Sequence, residues 1–230
     1  MNSPAADIAL ARLLRLVSPM LPVGAFSYSQ GLESAVEQGW AKGEAGVLDW
    51  IRGVIRYSIG TFEAPICCWL QRAWQADDTE PVKRWNATLL AAREAAELRS
   101  ETVQMGYSLR RLIIDSNEFA SHAVAALESI DSPTYPVVYS FACAQWRIDE
   151  RAALLGYVWS WVENQVVAAM KAVPLGQMAG QRLLAALTPD IAEVVNAALV
   201  ADADDLSNAA PGISIASCVH ETQYSRLFRS

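Results

Sequence analysis

The chain has 230 residues, of which 53% are hydrophobic and 19% charged, with a formal net charge of −7 and a pI near 4.9. That length can bury a sizeable core, and the acidic balance, with no run of basic residues, excludes a phosphate backbone as main partner; no nucleic acid is expected. The apolar share is above the average for soluble domains, so part of that surface is expected to meet another protein; the eight Trp residues fit a core and an interface equally, and composition alone does not separate the two.

Met1 to Asp7 is polar and carries an acid, which does not read as a secretion leader. Apolar residues then recur at helical spacing: Leu10, Leu13, Leu14 and Val17 first, followed by Leu48, Ile51, Val54, Ile55 and Ile59. Between these stripes, Ser27 followed by Gln30 reads as a capping box, placing a helix start near Tyr28 with Phe26 as its hydrophobic staple. Gly39 after Gln38 suits a left-handed residue closing that short helix, with Trp40 as the apolar contact beyond it. Asp77 to Glu80 reads as a polar turn.

Helical spacing returns at Leu109, Leu112 and Ile113. Tyr135 to Phe141 is rich in β-branched and aromatic residues and is the one stretch that mimics a strand. Ala152 to Met170 is the most apolar run, but Glu163, Asn164 and Gln165 interrupt it, so a buried helix is expected and not a membrane span. Thr188, Pro189 and Asp190 offer a capping hydroxyl, a first-turn proline and an acid, which predicts a new helix carrying Ile191, Val194, Val195, Ala198 and Leu199. From Ala201 to Gly212, acids, Ser207, Asn208, Pro211 and Gly212 end the pattern. The fold class is therefore all-α: a single compact domain of roughly ten helices over residues 1–205, with a flexible C-terminal tail over 206–230.

Enzyme constellations are missing from the sequence. His122 and His220 sit in no zinc-protease, nucleophile-elbow or catalytic-loop pattern, and there is no Gly-rich phosphate loop. Glu94, Glu97 and Glu101 share a helical face and resemble an acid–base pair, but flanking Arg93 and Arg99 make a solvated face the plainer reading. Cys67, Cys68, Cys143 and Cys218 form no C-x-x-C pair and read as reduced core thiols. Cys218 and His220 form a soft C-x-H pair, a weak candidate for nickel, copper or zinc that needs further ligands. No cofactor is expected.

Three segments are richer. LPVGAFSYSQGLE at 21–33 combines Pro22, Gly24 and Gly31 with Phe26 and Glu33; Gly31 leaves a bare patch that admits another helix, and either internal packing or a binding role suits the segment. KAVPLGQ at 171–177 places Lys171 where it complements a helix dipole or, with Gln177, faces a partner. HETQYSRLFRS at 220–230 concentrates Tyr224, Arg226, Leu227, Phe228 and Arg229 at a terminus. Such a tail either folds on binding a partner or folds back to staple its own domain.

Together these three segments, in this order and separation, resemble the signature segments of the urease accessory protein F (UreF) family, over nearly the full chain from Leu13 onward. Ala25 stands where many relatives carry a second glycine. The resemblance implies an all-α, homodimeric, non-catalytic protein acting in the cytoplasm, away from membranes. It would bridge urease accessory protein G, a nickel-carrying GTPase, to accessory protein D (also called H) and apo-urease for nickel insertion. A GTPase-activating role through Arg226 or Lys171, or direct nickel carriage through Cys218 and His220, are the variants it leaves open. Carried onto this sequence, it makes Phe26, Ser27, Gln30, Glu33, Lys171 and Gln177 candidates for a partner-facing surface, and Tyr224, Arg226, Leu227 and Phe228 for a partner-ordered tail.

Overall fold

Short-range signals set most helix ends, and long-range packing decides the rest, as a computed structural model describing residues 4–230 makes clear. The described residues form eleven α-helices and no strand. In chain order these are α1 (Pro4–Leu16), α2 (Leu32–Glu37), α3 (Gly43–Val54), α4 (Ala64–Gln75), α5 (Thr79–Ala91), α6 (Ala96–Ser116), α7 (Ser121–Glu128), α8 (Tyr135–Gln145), α9 (Glu150–Ala172), α10 (Gln177–Leu199) and α11 (Pro211–His220). A π-helical stretch, Ile55–Glu63, joins α3 to α4 without a break. The all-α class and the expected number of helices thus stand.

The apolar run at 152–170 becomes α9, the hub of the fold, which packs on α1, α2, α3, α4, α8 and α10. Leu154, Val158, Val162, Val166 and Ala169 are buried along it. Glu163 and Asn164 fall on a more open flank; Asn164 Nδ2 donates to the Tyr28 carbonyl at 3.1 Å. The strand-like Tyr135–Phe141 run lies in α8, where Pro136 occupies the first turn and Tyr139 and Phe141 are buried. Tertiary burial overrides β-propensity there.

Gly39 closes α2 as expected, with φ +75°. Gly39 N–H donates to Val36 O (3.0 Å) and Trp40 N–H to Ala35 O (2.8 Å), the paired bonds of a Schellman end. The start of α2 differs from expectation. Ser27 ends a 3-10 turn (Ala25–Ser27), Gln30 is left-handed at φ +52°, and Gly31 at φ +78° precedes the first helical residue, Leu32. The Ser27–Gln30 capping box does not form, because the chain must turn through two left-handed residues first. Phe26, the proposed staple, is exposed.

Pro189 also departs from its predicted role. It lies inside α10, because the buried stripe Leu183, Leu187, Ile191, Val194 and Ala198 continues straight through it. The missing proline N–H is one lost backbone bond against a whole packed face. Asp190 is buried and receives Arg52 Nε at 3.0 Å and Arg56 Nε at 2.9 Å, so it ties α10 to α3 and the π stretch and does not cap a helix.

At the amino end, Leu13 and Leu16 are buried, whereas Leu10 and Leu14 of the predicted stripe are exposed, as is Ile8. The break at 201–212 is a strap that returns to the body. Ala209 N–H donates to Tyr57 O (2.8 Å) and Ser207 N–H to Thr61 O (3.1 Å), so the strap satisfies carbonyls along the π stretch. Pro211 then starts α11 and does not end a helical pattern, and α11 packs on α2 and α6. Gly31 is what permits this contact: a Cβ there would lie 2.9 Å from Ser217 Oγ and 3.0 Å from Ser217 N. Among the described residues no helix is long and apolar enough to cross a membrane.

Candidate functional site

The segments singled out in the sequence converge on one side of α9. Glu33, in the first turn of α2, is buried, and its carboxylate accepts the main chain of the terminal segment: Leu227 N–H at 2.7 Å on Oε1 and Phe228 N–H at 3.0 Å on Oε2. Charge-assisted bonds of this kind are stronger than neutral ones. Neither a solvent-facing Glu33 nor one displayed to a partner is therefore present; the charge is spent inside the molecule, on residues nearly two hundred positions away.

The terminal segment, expected as a flexible tail, is accordingly hydrogen-bonded to the body, the alternative that the sequence left open. Arg229 N–H donates to Ser27 O at 2.8 Å, and Ser29 Oγ and N–H both donate to a main-chain oxygen of Ser230. Ser230 Oγ donates to Glu101 at 2.8 Å. Glu221 Oε1 accepts from Ala96 N–H at 2.8 Å and so caps α6, whose own N-cap residue Ala95 cannot. Phe228 is buried, with Lys171 Nζ 5.4 Å from its ring centroid. Phe228 is thus an internal anchor and not a displayed side chain, and Lys171, in the last turn of α9, braces it. Gln177, the first residue of α10, is exposed.

With the main chain pinned, the side chains of residues 224–227 are left exposed. Tyr224 is fully exposed and Leu227 is 68% exposed. Arg226 is half-exposed, with Nη1 held by Glu97 at 2.6 Å. The Glu94, Glu97 and Glu101 face is not solvated as a unit. Glu94 accepts from Ser214 Oγ, Glu97 binds Arg226 and His220, and Glu101 is buried. Helix α11 and the terminal segment cover that face, a long-range event that helical spacing cannot announce.

His220 is fully buried, with Nδ1 2.7 Å from Glu97 Oε2 and Nε2 3.2 Å from Glu33 Oε2. Both ring nitrogens can donate only when the imidazole carries two protons. Cys218 is exposed. Two positions apart on α11, the thiol and imidazole leave opposite flanks of the helix, so the weak C-x-H candidate is not assembled into a metal site. No cluster of three or more His, Cys, Asp or Glu side chains suited to a metal occurs among the described residues. The other three cysteines are buried, and burial pushes the Cys68 thiol up to about 12.

Next to this latch, made by α11 and the terminal segment, lies a cavity of about 140 Å³, between the 16–30 segment, α6, α8 and α9. Its outer edge is formed by Pro19, Phe26 and Val167, all exposed, and its floor includes buried Leu16, Val23, Glu63, Glu101 and Tyr157. Glu63 receives Arg93 Nη2 and the Tyr157 hydroxyl, each at 2.6 Å. Glu101 accepts from Gln30 Nε2 at 2.6 Å, and Gln30 in turn accepts from Trp161 Nε1 at 2.7 Å. Burial, only partly offset by these neutral donors and by Arg93, raises the Glu101 carboxyl to about 7. Phe26 and Gln30 therefore belong to a cavity, while Ser27 offers its carbonyl to the tail. Nothing in local sequence links Glu63, Arg93, Glu101 and Tyr157, which come from separate parts of the chain and meet only in the fold.

Comparison with known proteins places the chain in a family. The UreF family model matches residues 41–188. Over 231 residues the chain is 52% identical to the urease accessory protein UreF of Azoarcus sp. (strain BH72), covering 100% of this chain and 99% of the relative. It is 51% identical over 224 residues to that of Dechloromonas aromatica (strain RCB), covering 97% and 98%. With the UreF of Methylobacillus flagellatus it shares 47% identity over 222 residues, covering 96% and 98%.

Proposed function

The chain belongs to the UreF family of urease accessory proteins, and from that premise we propose that it is a non-catalytic adaptor in urease maturation. In this reading it acts as a homodimer in the cytoplasm. It links the nickel-carrying GTPase, accessory protein G, to accessory protein D/H and apo-urease, so that nickel reaches the urease active site, and this chain itself makes and breaks no bond.

The observation that carries the reading is the way the terminal segment is presented. Glu33 fixes its main chain, Phe228 seats it, and Tyr224 and Leu227 stand in solvent beside half-exposed Arg226. An aromatic, an aliphatic and an arginine on a pre-ordered backbone are the composition of an interface hot spot. Pre-ordering also removes part of the entropy cost that a free tail would meet on binding. Lys171 and Gln177, exposed at the α9–α10 elbow, extend the same surface in this reading. Phe26 and Gln30 belong to the adjacent cavity, and Ser27 and Glu33 contribute by holding the segment in place.

Co-expression with accessory proteins D/H and G tests this. The Tyr224→Ala, Leu227→Ala double variant is expected to retain its helical circular dichroism and lose co-purification with at least one of them. A control at an exposed aromatic elsewhere, Tyr57→Ala, should keep both partners. Full retention of both partners by the double variant would remove the terminal segment from the interface.

A further inference from the structure

The cavity beside Phe26 has a charge imbalance that its own residues do not correct. Three carboxylates line it, Glu63, Glu101 and Glu163, against one guanidinium, Arg93. Arg93 is committed to Glu63 at 2.6 Å, with both side chains largely buried. Glu101 accepts only from uncharged donors, Gln30 and Ser230. Glu163 is half-buried near the opening and has no hydrogen-bond or ion-pair partner among the described residues. Burial raises both of these carboxyls, and for Glu101 the charge of Arg93 offsets it only in part.

Much of the remaining wall is apolar, with Val17, Leu21, Val23, Leu98 and Met105 and the Trp161 ring at the side, and Ser18, Thr102, Ser160 and Asn164 add uncharged polar groups. A volume of about 140 Å³ resembles that of an engineered cavity, roughly 150 Å³, that holds a benzene ring in another protein. It suits one side chain and is too small for a nucleotide or a folded peptide. A ligand matching these walls has an apolar stem and a cationic tip that donates several hydrogen bonds. Guanidinium fits better than ammonium, because it is weakly hydrated, stacks on aromatic faces and presents five donors in a plane. The exposed Pro19, Phe26 and Val167 around the opening provide apolar contact for whatever main chain carries the group.

We propose that this cavity is a receptor for a single arginine side chain from a partner protein, with Glu163 and Glu101 receiving the guanidinium. The inference does not depend on which protein supplies the arginine, and it touches the terminal segment only at Glu101, which also accepts from Ser230.

Titration of the purified full chain with n-butylguanidinium, followed by the Trp161 indole resonance, tests it. N-butylurea, neutral and nearly the same shape, is the control. Saturable binding of the cation, at least tenfold tighter than the urea, is expected, and it should weaken in Glu163→Gln. Because Glu101 ionises near 7, binding should also be up to roughly tenfold tighter at pH 8 than at pH 6. Equal binding of urea and cation would reduce the site to an apolar pocket, and absence of saturable binding, or unchanged affinity in Glu163→Gln, would overturn the proposal. Glu163 is only half-buried and carries no hydrogen bond that the variant would break, so its variant is expected to fold. A second arm separates a partner chain from a small free cation. A capped pentapeptide with one central arginine flanked by leucines should bind more tightly than n-butylguanidinium, and Phe26→Ala should abolish that gain alone. A peptide no tighter than the free cation would contradict a protein-borne ligand.

Discussion

Glu101 shows how one residue in this fold couples burial to pH. Its carboxyl is raised from an ordinary value near 4.5 to about 7, chiefly by burial. A carboxyl whose folded value lies above its unfolded one favours the folded state while protonated. That contribution is complete below about 4.5 and is lost as pH rises through 7, on the order of 3 kcal/mol in all. Glu101→Gln removes the titration while keeping an acceptor for Gln30 or Ser230. The stability difference between variant and wild type, read from urea unfolding, should therefore shift in favour of the variant by about 2–3 kcal/mol between pH 5 and pH 8. A difference that stays constant with pH would show that Glu101 does not titrate in that window. Glu33, also buried, accepts two main-chain N–H groups and faces His220, and so serves to hold the terminal segment.

At the scale of elements, the most informative joint is between α10 and the α3–π–α4 helix. Gly60 in the π stretch faces Val194 of α10 so closely that a Cβ would lie 2.7 Å from its side chain. Two arginines one turn apart, Arg52 and Arg56, then meet Asp190 just after Pro189. Asp190→Ala should cost about 1–3 kcal/mol in urea unfolding, since both guanidinium groups are part-exposed and can return to water. A loss below about 0.5 kcal/mol would make this joint a surface ion pair of the ordinary kind. The same elements mark what was legible in the sequence. The Gly39 helix end, the buried helix at 150–172 and the all-α class follow from local signals, and each formed as expected. The Ser27 capping box and the Thr188 helix start failed for the opposite reason. Both are sound local patterns, overridden by a left-handed turn needed to seat α11 on Gly31 and by an apolar stripe running past Pro189. The terminal latch was half legible: its composition marked it out, but its receptors Glu33, Glu97 and Glu101 look like exposed helical acids until α11 covers them.

At the scale of the whole molecule, an early segment and the terminal one form one surface. Residues 27–33 and 220–230 are joined by hydrogen bonds that span almost the full sequence, and α9 supports both with Asn164, Trp161 and Lys171. The adaptor reading depends on that closure existing before any partner arrives, because it sets Tyr224 and Leu227 outward on a fixed backbone. Hydrogen–deuterium exchange of the free protein over residues 221–230, in wild type and Glu33→Gln, tests this most directly. The Leu227 and Phe228 amides, both bonded to Glu33, are predicted to be protected in the wild type and to approach the exchange rate of an unstructured peptide in the variant. Unprotected amides in the wild type, or equal protection in both proteins, would contradict the account.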